Sequence, residues 1–181
     1  MAIYKKCSPD AFAATVYEIK VEEIKAQGIK ALIFDLDNTL IPYNQPELGD
    51  QEIQFLSKMQ EDFKCLILSN SGRKRVEYAL RRIDVPAVSR AMKPLKKGFN
   101  KALSILNVKR EEVMVIGDQL MTDVYGSKRF GFKITLVLPI QEKTEKWTTR
   151  FNRKLERKML KKIKKKNPAL YEERLMVYAN R

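Results

Sequence analysis

Short apolar runs recur along the chain at Ala31 to Phe34, Cys65 to Leu68, Val85 to Val88, Val113 to Ile116 and Ile134 to Leu138, each bounded by polar or turn-forming residues. Between them lie stretches with helical spacing, Asp50 to Asp62, Arg73 to Ile83, Leu95 to Leu106 and Thr122 to Phe130. Strand-length apolar runs alternating with helices predict an α/β fold, a three-layer Rossmann-like parallel sheet with flanking helices. Ahead of the first run, Ser8-Pro9-Asp10 reads as a helix start, with Ser8 as cap and Pro9 in the first helical position, and Gly28 is placed to end a later helix.

Ligands of such sheets sit beyond the carboxyl ends of the strands, so those ends locate the chemistry. The first ends in Phe34-Asp35-Leu36-Asp37-Asn38-Thr39-Leu40, where alternation along an extended backbone sends Asp35 and Asp37 to the same side. Two acids at one strand tip suit divalent metal and phosphoryl chemistry. The second strand ends in Ser69-Asn70-Ser71-Gly72, the stretch after the third carries Lys93-Pro94, and the fourth ends in Gly117-Asp118, followed by Thr122-Asp123.

Each group has a fitting role. An ionised Asp35 can attack phosphorus without a separate base, forming an aspartyl-phosphate. Asp37 can then protonate the departing alkoxide and later take a proton from the hydrolysing water. Asp118 and Asp123, with Asp35, offer the oxygen ligands that Mg²⁺ prefers. Ser69 offers a hydroxyl, the turn from Asn70 offers backbone N–H groups at a helix start, and Lys93 offers positive charge to phosphoryl oxygens.

Composition narrows the alternatives. The 181 residues contain 44% hydrophobic side chains, enough for one substantial domain with a tail. With no histidine, Ser-His-Asp and Cys-His catalysis are excluded, as are histidine metal ligands. Cys7 and Cys65 make no zinc set and no disulfide framework, and Cys65, opening an apolar run, reads as a buried thiol; a reducing, cytoplasmic setting fits. No segment approaches the roughly 20 apolar residues that span a bilayer, so membrane contact is expected to be peripheral, at the inner face. A net charge of +14 favours anionic partners.

The strand-end elements, in this order, resemble the haloacid dehalogenase (HAD) superfamily of aspartate-based phosphatases over about Lys30 to Leu138. The resemblance implies a Mg²⁺-dependent phosphomonoester hydrolase, with Asp35 as nucleophile and Asp37 as general acid/base that also ligates metal through its backbone carbonyl. It further implies Ser69 and Lys93 as phosphate contacts and Asp118 as a direct Mg²⁺ ligand. For Asp123 it implies a role at the metal, direct, through water, or by orienting the lysine. A second acid at Asp37 suits ester hydrolysis over dehalogenation. The connections from Leu40 to Cys65 and from Gly72 to Lys93 are too short for an inserted cap domain, so a capless, HAD-like fold with an open site is expected.

Gln27 to Leu40, Ala91-Met92-Lys93-Pro94 and Gly117 to Gly126 narrow the likeness to the YqeG family of class III phosphatases, similar to the mitochondrial-type phosphatidylglycerophosphatases. That likeness implies conversion of phosphatidylglycerophosphate to phosphatidylglycerol. Soluble phosphate esters of a metabolite, nucleotide or protein are the alternative substrates.

From residue 141 the composition shifts, dividing the chain into a phosphatase domain over 1–140 and a basic helical tail over 141–181. Trp147, Phe151, Leu155, Met159 and Ile163 recur every four residues among lysines and arginines. The stripe can lie on an anionic phospholipid surface or pack Trp147 and Phe151 against the domain. The same basic stretch could instead bind RNA or a ribosomal particle through phosphates.

Overall fold

The computed structural model describes residues 3–141 and 147–181. Six strands, β1 (Ala11–Ala13), β2 (Ala31–Phe34), β3 (Lys64–Leu68), β4 (Ala87–Val88), β5 (Val113–Gly117) and β6 (Lys133–Val137), form one sheet in the order β1-β6-β5-β2-β3-β4. All pairings are parallel.

Alternation along the central strands explains the layers. Ala31 and Ile33, Leu66 and Leu68, and Val113 and Val115 point into one apolar cluster, with Phe99, Ala102 and Leu106 of helix α4 (Lys96–Leu106) and Phe130 of α5 (Tyr125–Phe130). Leu32 and Phe34, Cys65 and Ile67, and Met114 and Ile116 point into the other. There they meet Ile24 of α1 (Val21–Ala26), Leu56 and Met59 of α2 (Asp50–Asp62), and Val76 and Ala79 of α3 (Arg73–Ala79). Burial on both faces makes these strands read as unbroken apolar runs.

Helix α2 has the expected bounds, and Gly28, at φ 73°, follows α1 in the left-handed conformation that glycine adopts readily. Four details differ from expectation. Ser8-Pro9-Asp10 starts no helix: a 3-10 turn over Ile3–Cys7 precedes it and edge strand β1 follows. Asp10 is used instead on β6, where its Oδ2 accepts from the Ile134 N–H at 2.9 Å. The third apolar run is a strand only at Ala87–Val88, because Pro86 has no N–H to give a ladder. Helix α3 stops at Ala79 rather than continuing to Ile83. The segment after β5 is not uniformly α-helical: a π-helical turn over Leu120–Val124 runs into α5.

The basic stretch forms α6 (Trp147–Lys166), followed by α7 (Pro168–Arg174) and α8 (Met176–Ala179). Its inward face takes in only part of the four-residue stripe, with Ile163 buried and Met159 packed against the same core. Arg153, Glu156, Leu160 and Ile163 are buried, whereas Phe151 is 56% exposed; the side chain of Trp147 lies outside the described residues. Leu160 and Ile163, with Tyr171, Leu175 and Tyr178, join the apolar cluster that contains Cys7, Leu120 and Val124. The tail therefore packs on the sheet domain through a mixed apolar and ionic face. Among the described residues no helix is long and apolar enough to cross a membrane.

From β2 the chain builds β3 and β4 on one side, then crosses to β5 and β6 on the other. The switch opens a crevice between the carboxyl ends of β2 and β5.

Candidate active site

At the tip of β2, the Asp35 N–H still bonds to the Ile116 carbonyl of β5, so the carboxylate starts from rigid sheet. Leu36 turns back into the core while Asp35 and Asp37 face the crevice. A tight turn follows, with Asn38 at φ 66° and its N–H bonded to the Ile41 carbonyl at 2.7 Å. This turn brings Thr39 Oγ1 to donate to Asp118 Oδ1 at 3.2 Å.

Beyond β3, Ser69 Oγ accepts from the Ser71 N–H at 3.1 Å. Asn70 uses both ends of its amide on the backbone of Lys93, accepting from its N–H at 2.7 Å and donating to its carbonyl at 3.1 Å. The lysine is thereby clamped. Its Nζ lies 2.7 Å from Asp35 Oδ1 and 2.7 Å from Asp123 Oδ1.

Asp118 follows β5, and the π-helical turn swings Asp123 back so that its Oδ2 accepts from the Gln119 N–H at 3.1 Å. Gly117 makes room for this return, since a Cβ there would meet Asp123 Cγ at 2.6 Å. One oxygen from each of Asp35, Asp118 and Asp123 lies within 4.8 Å of the others. Three buried carboxylates converging this closely form a donor set that fits a hard divalent cation.

Electrostatics reflect that crowding. Burial pushes the Asp35 carboxyl well above its ordinary value, against the pull of Lys93 and with help from Asp123 and Asp118. Burial likewise lifts Asp118 to about 6, opposed by Arg153 and reinforced by Asp123 and Glu156. Lys93 pays a desolvation penalty that its two carboxylate partners outweigh, so its ammonium form is favoured.

Asp35, Asp37, Ser69, Asn70 and Lys93 line a cavity of about 410 Å³, to which Thr149 and Asn152 of α6 also contribute. The tail thus supplies a wall to a site expected to be open. Asp118 and Asp123 are fully buried beside it.

Several neighbours hold the site without a role assigned from the strand-end motifs, Ser71 among them although it stands in one. Ser71 Oγ donates to Asp37 Oδ2 at 2.6 Å, and Arg75 donates to Asp37 Oδ1 from Nε at 3.2 Å and Nη2 at 2.9 Å. A signal existed: α3 opens with Arg73, Lys74 and Arg75, a charge that the positive end of a helix dipole disfavours. Arg153 donates to Asp118 Oδ2, and its partner Glu156 is the one acidic residue between 147 and 166. A lone acid three residues after an arginine in a basic helix marks an inward pair. Tyr178, which donates to the Asp118 carbonyl at 2.7 Å, offered no comparable signal.

The family model for mitochondrial PGP phosphatase matches residues 1–141. The probable phosphatase YqeG of Bacillus subtilis is 37% identical over 166 residues, spanning 91% of this chain and 96% of that protein. Among solved structures, an uncharacterized protein from Listeria monocytogenes serotype 4b superposes with a TM-score of 0.51 at 20% identity, over 65% of this chain and 85% of that one. A HAD family enzyme from Bacteroides thetaiotaomicron, solved as a magnesium complex, gives a TM-score of 0.51 at 12% identity, over 68% of this chain and 98% of that one. The two structures share the fold. The extent of the family match and the near-complete alignment with YqeG identify the chain: it belongs to the mitochondrial PGP phosphatase family and is a phosphatase.

Proposed function

We propose that the protein is a Mg²⁺-dependent phosphomonoesterase that hydrolyses phosphatidylglycerophosphate through an aspartyl-phosphate at Asp35. The observation that carries the reading is the meeting of Asp35, Asp118 and Asp123 with Lys93 at the switch crevice of the sheet. Asp35 Oδ attacks phosphorus, the P–O bond to the alcohol breaks, and Asp37 hands its proton to the departing alkoxide. Water then attacks the acyl phosphate, Asp37 takes the proton, and inorganic phosphate leaves with Asp35 restored. The Arg75 guanidinium, donating to Asp37 Oδ1 at 2.9 Å, holds this carboxyl group in place between the two transfers.

Lys93 and the Ser69 hydroxyl would face the phosphoryl oxygens, while Asn70 contributes through its hold on Lys93 and its backbone N–H. Mg²⁺, held by Asp35, Asp118, Asp123 and the Asp37 carbonyl, would supply positive charge to the developing phosphoryl transition state.

The lipid substrate is supported by the family and by the surface around the cavity. Met92, Leu95 and Phe151 are 52%, 48% and 56% exposed, and each adjoins in sequence a residue that lines it. Lys154, Arg157, Lys158 and Lys161 are exposed along α6. Apolar side chains among basic ones suit peripheral contact with an anionic bilayer. Phosphate release from phosphatidylglycerophosphate in mixed micelles with Mg²⁺ tests the proposal, with Asp35→Asn alongside. Lipid turnover that Asp35→Asn abolishes is expected. Turnover of soluble esters with the lipid untouched overturns the substrate, and persistent turnover in Asp35→Asn overturns the nucleophile.

A further inference from the structure

The family match stops at residue 141, yet an ionic network from the segment beyond it reaches the metal-ligating candidates. Arg153 is the centre of that network. Its Nη2 donates to Asp118 Oδ2, and its Nη1 donates to the Asp118 carbonyl at 2.9 Å, Glu156 Oε2 at 3.1 Å and Tyr178 Oη at 2.8 Å. Glu156 is fixed in turn by the Leu120 N–H, which donates to its Oε1 at 2.6 Å, and by Arg181 Nη2 at 3.2 Å. Arg153, Glu156, Tyr178 and Asp118 are all buried. Such a cluster is costly to desolvate and is far more sensitive to loss of one member than a surface pair.

The geometry acts on one carboxylate. Asp118 Oδ2 is held from α6 by Arg153, while its Oδ1 is held by Thr39 from the turn after β2. Rotation of the carboxylate breaks one bond or the other. A carboxylate has about four lone-pair sites, so two such donors orient it and leave sites for a cation. Lys93 lines the cavity and Arg153 is not among its lining residues; the action proposed for Arg153 runs through Asp118.

We propose that Arg153 is a positioning residue that orients Asp118 for the divalent cation, so that docking of residues 147–181 and cation binding are thermodynamically linked. The inference rests on the Mg²⁺ reading above. Partners that orient a ligand commonly contribute 10–100-fold to metal affinity, and linkage requires that the cation favour the docked segment by the same factor.

The test is calorimetric titration of the full chain with MgCl₂, comparing wild type and Arg153→Gln, together with amide hydrogen exchange. Arg153→Gln is expected to raise the Mg²⁺ dissociation constant about 10–100-fold while retaining a cooperative thermal transition. Saturating Mg²⁺ is expected to slow exchange of α6 amides in wild type by a similar factor, and not in Arg153→Gln. Arg153→Lys, which restores charge without the fork, should recover part of the affinity. Wild-type binding with a Kd that Arg153→Gln leaves within threefold, or tightens, overturns the inference alone. No Mg²⁺ binding by wild type overturns the metal reading and this inference with it. Should Arg153→Gln fail to fold, wild-type exchange decides, and α6 amides indifferent to Mg²⁺ overturn the linkage.

Discussion

Gly117→Ala places a single methyl group where the π-helical turn returns Asp123 to the site. The new Cβ would lie 2.6 Å from Asp123 Cγ, 2.7 Å from its Cβ and 2.7 Å from its Oδ2. Ordinary van der Waals contact begins near 3.4 Å, so Asp123 must recede by 3.4 − 2.6, about 0.8 Å. Its Oδ1 sits 2.7 Å from Lys93 Nζ, and a recession of that size lengthens the ion pair to as much as about 3.5 Å, the far edge of a hydrogen bond. Lys93 then leans towards Asp35 alone, and the carboxylate triad loses its shape. Misplacement of a catalytic group by about 1 Å can cost about 100-fold. A 30- to 100-fold fall in kcat/KM is therefore expected, equivalent to about 2 to 3 kcal/mol of transition-state stabilisation. The overpacking itself should destabilise the fold by about 1–3 kcal/mol, leaving it folded at 25 °C. Steady-state phosphate release at saturating Mg²⁺ and urea unfolding measure the two effects separately. A folded Gly117→Ala variant with kcat/KM within threefold of wild type would refute the role assigned to the Asp123 position.

Two further predictions concern protonation. Burial pushes the Cys7 and Cys65 thiols up to about 12, with the Glu156 charge adding to the effect at Cys7, so at pH 8 about one molecule in 10⁴ carries a thiolate at either site. Ellman's reagent should react with neither until denaturant unfolds the protein; stoichiometric labelling within minutes at pH 8 would count against the burial described. The second concerns Asp118, which keeps its proton to about pH 6 in the fold against 3.8 ordinarily. The folded state binds the proton more tightly, so this group supports the metal-free fold below about pH 3.8 and withdraws that support as pH rises through about 6. Asp118→Asn should thus gain stability relative to wild type over that window, by up to about 1.4 kcal/mol per pH unit, and run parallel above it. Urea titrations in EDTA from pH 4 to 8 give the difference, and a constant offset would contradict the sign.

The parts of the molecule legible in its sequence are those where one physical rule acts alone. Ala31 to Phe34 is a strand because four consecutive apolar residues buried on both faces have no other use, and the acids that interrupt the run must then lie at its tip. Asp50 to Asp62 is a helix with the expected bounds because its buried stripe and the Glu52 bond to the Gly49 N–H agree. Legibility fails where tertiary partners override local preference. Ser8-Pro9-Asp10 satisfies the rules for a helix start, but Asp10 is worth more bonding the Ile134 N–H and the Lys128 ammonium, the latter at 2.7 Å. In α6 the regular apolar stripe accounts for only part of the inward face, for a related reason. Hydrophobic periodicity assumes that the inward face is apolar, whereas half of this one consists of Arg153 and Glu156, whose charges are met by Asp118, Tyr178 and the Leu120 N–H. Those partners lie 22 to 36 residues away in sequence and cannot be found by spacing. Phe151, which one of the two readings of the stripe packs against the domain, is left to solvent. The same exchange of a charged pair for an aromatic ring therefore ties the tail to Asp118 and leaves an apolar side chain exposed next to the cavity-lining Asn152.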